Sequence, residues 1–307
     1  MARFYPQAAA RRFEAMRTMT LQRTLRTLAA CLALLGCISA HAQAWAWDDG
    51  TVPFVVSPDE IVQRMLRMGE VGPEDTLIDL GSGDGRIVIE AARRGARGLG
   101  VDLDPSLVAL ARTNAAAAGV SERARFETRD LFHTDLSGAS VITFYLLPDV
   151  NAKLMPRLLA LKPGTRIVSH DGGIGDWPHD EMLEMRVPEK AVGIGGLSRV
   201  QLWIVPAAVA GTWRAEVPGY GGNWTFRIAQ KYQQLEVDVG AEGRDLLVRA
   251  SRLRGAEIKL AVTGVVNGRA ANHLFAGTVE GDRIRGEMRM YNGTEERSYP
   301  WTARRTK

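Results

Sequence analysis

Leu77-Ile78-Asp79-Leu80-Gly81-Ser82-Gly83-Asp84-Gly85-Arg86 leads from a short apolar run through a glycine-rich turn into a helical pattern. The run is bounded on both sides, as a buried strand is. Glycines let the backbone turn tightly, and their missing side chains leave room for a ligand. Their spacing discriminates between ligands. A dinucleotide loop needs a third glycine three positions after its second, and Arg86 stands there instead. Glycine falls at every second position, with Asp79 ahead of the series.

A carboxylate at the end of that strand repels a pyrophosphate and attracts an ammonium. S-adenosylmethionine offers such an ammonium, and its carboxylate suits the N-terminus of the next helix, a contact worth about 0.3–1 kcal/mol. The second strand closes on Gly100-Val101-Asp102-Leu103-Asp104. Asp102 stands where an acid accepts hydrogen bonds from both ribose hydroxyls, with Leu103 packing on adenine. After the third strand, Asp130 and its neighbour Leu131 lie where the adenine amino group can be received. Any one of these acids, taken alone, is better read as a helix cap or a solvated loop carboxylate. All of them fall at the carboxyl ends of successive strands, where open α/β sheets bind ligands.

Outward from the loop, Ser57-Pro58-Asp59-Glu60 predicts a helix capped by Ser57, with Glu60 closing a capping box and Ile61, Met65, Leu66 and Met68 forming an apolar stripe. A helix from Arg86 to Arg94, a strand from Leu99 to Leu103 and a helix after Pro105 follow. Further strands are expected at Ala124 to Glu127, Val141 to Leu146 and Thr165 to Ser169, then an antiparallel edge from Glu184 to Val187 and Arg199 to Val205 around Gly193 to Gly196. The reading is α/β: a doubly wound, mostly parallel seven-stranded sheet.

Methyl transfer from a sulfonium is an in-line displacement, for which alignment supplies about 7–11 kcal/mol and no nucleophilic residue is needed. Candidates for contact with the acceptor are Tyr145 with Pro148, then His170, Asp171 and Trp177. His170 could take the acceptor proton, and Tyr145 or Trp177 could face a cationic amine. Equally open is that Tyr145 packs in the core and His170 is a hydrogen-bonded loop residue.

The stretch from Val52 to Asp180 resembles the seven-strand, class I S-adenosylmethionine-dependent methyltransferases. It is most similar to the small membrane-anchored protein-lysine methyltransferases of mitochondria and their bacterial relatives. The resemblance is carried by Val52-Pro53-Phe54-Val55-Val56-Ser57-Pro58, by Leu80 through Glu90, and by Leu147-Pro148. It implies that Asp79, Gly81, Ser82, Gly83 and Gly85 hold the methionine part, Asp102 the ribose and Asp130 the adenine edge. It further implies that Ser57-Pro58 covers the cofactor and that the acceptor is a protein lysine.

Beyond Pro206 the pattern changes to alternation: Trp224, Phe226 and Ile228, then Leu235, Val237 and Val239, then Ile258, Leu260 and Val262. Gly281-Asp282 marks a hairpin between Phe275 to Glu280 and Arg283 to Met290. An antiparallel meander or small barrel is expected. Gly211-Thr212-Trp213 resembles the start of lipocalin-like barrels, although a packing tryptophan is the better reading. Three regions result: a leader over 1–44, a methyltransferase domain over 45–206 and an all-β domain over 207–307.

The 39 Lys and Arg exceed the 35 Asp and Glu, but six of the basic residues stand against one acid in the leader. Residues 45–210 carry 17 basic and 23 acidic groups, and residues 211–307 carry 16 and 11. No basic run with interleaved aromatics lies outside the leader, and an Asn-Pro-Pro-Tyr motif is missing, so no nucleic-acid partner is expected. No spaced His and carboxylate cluster suggests a metal, and both Cys31 and Cys37 lie in the leader. The remaining partners are an unidentified acceptor, protein or small molecule, and a membrane surface; oligomeric state has no signal. Arg23 and Arg26, the apolar run from Leu28 to Ile38 and the small residues to Ala44 predict a secretory signal peptide and a periplasmic location. A membrane anchor, including acylation at Cys37 in Leu34-Leu35-Gly36-Cys37, and a transit peptide are the alternatives. Export motivates a rival function, a non-catalytic binding module that retains the fold, because S-adenosylmethionine is made in the cytosol.

Overall fold

In the computed structural model, which describes residues 54–188 and 196–306, the chain builds a sheet and then a barrel. The leader, and most of the Gly193 to Gly196 segment, lie outside the described residues. The sheet has seven strands: β1 (Thr76–Leu80), β2 (Arg97–Asp102), β3 (Ala124–Thr128), β4 (Val141–Phe144), β5 (Arg166–His170), β6 (Glu181–Arg186) and β7 (Leu197–Ile204), in the order β3-β2-β1-β4-β5-β7-β6. The first five run parallel, while β7 is antiparallel to both β5 and β6. Every residue of β4 is buried, as strands covered on both faces are. The covering helices are α1 (Asp59–Met68), α2 (Arg86–Arg93), α3 (Pro105–Ala117) and α4 (Pro148–Leu159). Strand order reverses between β1 and β4, which opens a crevice at their carboxyl ends.

Two local expectations are corrected. The helix α1 begins after Pro58 and has no side-chain cap, because the Ser57 hydroxyl is committed to His170 Nδ1 at 2.9 Å. Strand β2 ends at Asp102, so Leu103 leaves the sheet and is 66% exposed.

The barrel closes eight antiparallel strands: β8 (Gly211–Glu216), β9 (Trp224–Lys231), β10 (Gln234–Ala241), β11 (Arg244–Arg254), β12 (Glu257–Val266), β13 (Arg269–Glu280), β14 (Arg283–Tyr291) and β15 (Glu296–Arg305). Its interior is filled by Trp213, Trp224, Phe226, Phe275, Met288 and Trp301, with Phe275 edge-on to Trp224 at 4.9 Å and to Trp301 at 5.1 Å. Trp213 is a packing residue, its indole donating to the Val209 carbonyl at 2.8 Å.

Sheet and barrel fall within one compact unit, Val55–Lys307. The β9–β10 hairpin, turning at Tyr232-Gln233, clasps the loop after β5. Trp177 Nε1 donates to Gln233 Oε1 at 2.9 Å, Gln233 Nε2 donates to the Pro178 carbonyl at 2.7 Å, and Lys231 pairs with Asp176 at 2.9 Å. Trp177 is therefore buried in the domain junction rather than turned toward an amine.

Gly277 and Gly286 stand opposite one another on β13 and β14. A Cβ on Gly286 would lie 1.9 Å from the Ala276 carbonyl oxygen, and one on Gly277 would lie 2.9 Å from the Trp301 ring. Gly286→Ala is expected to cost about 1–3 kcal/mol, read as a lower urea midpoint. An unchanged midpoint would show that the strands can move apart freely.

Candidate active site

Asp79 lies opposite Thr143 in the parallel register of β1 and β4, and the Thr143 hydroxyl donates to its carboxylate at 2.7 Å. Burial pushes the Asp79 pKa up to about 7; Thr143 opposes the rise, and the neighbouring Asp102 and Asp84 add to it. The turn that follows holds Gly81, Gly83 and Gly85 at φ of 77°, 52° and 83°, a left-handed conformation costly for other residues. Space is short as well: a Cβ on Gly81 would meet Leu146 at 2.9 Å, and one on Gly85 would meet the Phe126 ring at 2.7 Å.

Asp102 ties this turn to β2. Its Oδ2 accepts from the Gly83 amide at 2.9 Å and its Oδ1 from the Asp104 amide at 3.0 Å. Ser82 is buried, and its hydroxyl has no hydrogen-bond partner among the described residues. Next in the sheet, Asp130 caps a short 3-10 turn, Leu131–His133, accepting from the Phe132 amide at 2.8 Å and facing His133 Nδ1 at 2.9 Å. Arg157 holds the Leu131 carbonyl at 2.9 Å. The residues singled out for a cofactor thus stand on the carboxyl edge of three adjacent strands, β1, β2 and β3.

On the other side of β1, Tyr145 follows the last residue of β4, two positions after Thr143. The Tyr145 ring packs 4.0 Å from that of His170, centroid to centroid. Its hydroxyl donates to Asp171, and desolvation together with that carboxylate pushes its pKa up to about 12. Asp171 adopts a left-handed φ of 61°, fixed by mutual bonds with Arg199: its amide donates to the Arg199 carbonyl at 2.8 Å, and its Oδ1 accepts from the Arg199 amide at 2.9 Å. His170 is fully buried, with Ser57 Oγ 2.9 Å from Nδ1 and Ser198 Oγ 3.2 Å from Nε2. It braces the Tyr145 ring and the segment before α1 from below.

Sequence reasoning missed Thr143, Ser198 and the role of Arg86. Thr143 is the one polar residue in the buried run Val141-Ile142-Thr143-Phe144, and that exception was its signal. Arg86 donates to the Ser57 carbonyl at 2.9 Å and pairs with Asp84 at 2.6 Å and Asp59 at 3.5 Å, pinning the segment ahead of α1.

The model of the ANTKMT methyltransferase domain family matches residues 79–181. A protein-lysine N-methyltransferase of Saccharolobus islandicus is 39% identical over 137 residues, covering 44% of this chain and 85% of that protein. The adenine nucleotide translocase lysine N-methyltransferase of Mus musculus is 36% identical over 128 residues, covering 41% of this chain and 56% of that one. The chain thus spans about half the length of the mouse protein. Among solved structures, an RNA methyltransferase from Salinibacter ruber in complex with S-adenosyl-L-homocysteine is 47% identical over 50% of this chain and 96% of that chain, with a TM-score of 0.45.

The donor set fits S-adenosylmethionine: a buried carboxylate that gains from a cation, an unpartnered buried hydroxyl at Ser82, and an exposed Leu103 for a flat base. An ammonium is attracted only to ionised Asp79, so cofactor affinity is expected to fall about tenfold from pH 8 to pH 6 in calorimetric titrations. Asp79→Asn should bind weakly and show no such slope; an equal slope in the variant would remove Asp79 from the ammonium site. Without cofactor the sign reverses. The folded state holds the Asp79 proton up to about pH 7 and the unfolded chain only to about 3.8, so this group's contribution to stability declines as pH rises through that window. The loop, the buried acid and the shared length with the archaeal enzyme agree, and the chain belongs to the S-adenosylmethionine-dependent methyltransferases, in the family that includes that protein-lysine N-methyltransferase.

Proposed function

We propose that this enzyme methylates the side-chain amine of a protein lysine. The observation that carries the reading is the pairing of Tyr145 with Asp171, just past the carboxyl ends of the adjacent strands β4 and β5 and at the same end of the sheet as Asp79. A carboxylate at the hydroxyl edge of an aromatic ring suits an incoming ammonium, through charge and through the ring face. The relatives named for lysine methylation support the same acceptor class.

The cofactor supplies an electrophilic methyl group on a sulfonium. Asp79 would bind its ammonium, Ser82 and the amides of the glycine turn its carboxylate, Asp102 the ribose hydroxyls, Leu103 one face of the adenine, and Asp130 with Leu131 its edge. On the acceptor side, Tyr145 stays a neutral phenol across the physiological range and presents its ring to the amine. Asp171 draws the ammonium in and takes its proton, leaving the lone pair free to attack. His170, held between Ser57 and Ser198, is a positioning residue for the Tyr145 ring. The leader is read, from its sequence alone, as an export signal.

Incubating the enzyme with labelled methyl donor and with separate envelope and soluble fractions should place label on protein, at lysine by peptide mass spectrometry. Asp171→Asn should lower kcat/KM for that acceptor about 10- to 100-fold, the loss of a charge-assisted contact, while donor affinity stays unchanged. Tyr145→Phe should lose less than Tyr145→Ala. Label recovered only in nucleic acid or small molecules, or full activity in Asp171→Asn, would sink the proposal.

A further inference from the structure

Arg283, Arg304 and Arg214 stand directly opposite one another on the adjacent strands β14, β15 and β8. Their sequence neighbours Ile284, Ala303 and Trp213 are buried inside the barrel, so the three arginines point outward. Arg285 lies two positions along β14 from Arg283 and extends the row, opposite Thr302. None of the four is in an ion pair with a described residue, whereas Arg227, Arg254, Arg289, Arg297 and Arg305 of the same barrel all are. Acids bordering the row are Glu280, in register with Arg283, Glu216, in register with Thr302, and Glu287, two positions beyond Arg285 on β14. Like charges placed opposite one another across strands destabilise a sheet. Three arginines abreast without a close ion pair are therefore a standing cost that a bound anion reduces.

From this geometry we infer that the β14–β15–β8 wall docks the enzyme onto an anionic lipid surface. The wall is the convex outside of a closed barrel, with no free strand edge to pair with a peptide. Between the arginines stand Thr302 and, beyond Arg214, Thr225; no aromatic ring interleaves with them as a stacking platform for bases. A plane of phosphate headgroups needs neither a groove nor an edge, and it meets several guanidiniums at once. Among the described residues no helix is long and apolar enough to cross a membrane; outward-facing guanidiniums suit contact with headgroup phosphates. The ladder lies outside residues 79–181, which match the methyltransferase family, and it does not depend on the acceptor proposed above.

The test is co-sedimentation of the full chain with phosphatidylcholine vesicles and with phosphatidylcholine–phosphatidylglycerol vesicles at about 7:3. The leader, with its own basic residues, is common to all variants, so differences between variants read the ladder alone. Wild type should partition onto the anionic vesicles only. The triple variant Arg214→Gln/Arg283→Gln/Arg304→Gln should bind about a hundredfold more weakly, and each single change about fivefold. Arg227→Gln, on β9, and Arg289→Gln, farther along β14, should bind as wild type. The triple variant should also melt at a higher temperature, because it relieves like-charge repulsion; a purely structural ladder would melt lower. Equal binding by the triple and wild-type proteins, equal binding to both vesicle types, or preferential capture of a single-stranded RNA lost in the same variant would overturn the inference.

Discussion

A carboxylate buried at the end of a strand must hold either a proton or a cation, and the architecture around Asp79 follows from that requirement. The side chain that donates to it, Thr143, is a neutral hydroxyl, so the protein withholds the positive charge that would satisfy it. The adjacent turn is left-handed at three glycines and is drawn toward β2 by Asp102. The resulting crevice is incomplete without a ligand that brings its own ammonium. A sulfonium nucleoside amino acid meets that need.

Much of this was legible in the order of residues. Short apolar runs alternating with helical stretches pointed to the parallel sheet, and glycine at every second position separated a methyl-donor site from a dinucleotide site. What escaped was set by contacts between residues distant in the chain. Ser57 looks like a helix cap because caps are local, yet its hydroxyl is taken by His170, 113 positions away. Trp177 looks like an aromatic wall for an amine, yet a hairpin of the second domain claims its indole. The strand β11 hid because a bulge between Val248 and Ala250 breaks the alternation on which recognition depends, and β15 because it carries Pro300.

The proposed acceptor side is organised differently from the cofactor side. Around Asp79 the critical distances are set by backbone, through register and through glycines. Around Tyr145 they are set largely by side chains, with His170 beneath the ring and Asp171 on its hydroxyl, while the Arg199 backbone holds Asp171 in a left-handed conformation. Backbone-built sites tolerate little change, whereas side-chain-built ones can be respecified by a few substitutions while the donor chemistry is kept.

The clasp of the β9–β10 hairpin on the loop after β5 has a temporal consequence. The sheet leaves the ribosome first, complete with its nucleoside crevice, while the loop beyond Asp171 still lacks the Tyr232-Gln233 grip. That grip belongs to a barrel whose first strand is sealed by its last, β8 by β15, so the barrel cannot close until β15 has been made. A nascent chain can therefore acquire its donor pocket well before the loop proposed to meet the acceptor is set, so the two regions mature in sequence by the direction of translation.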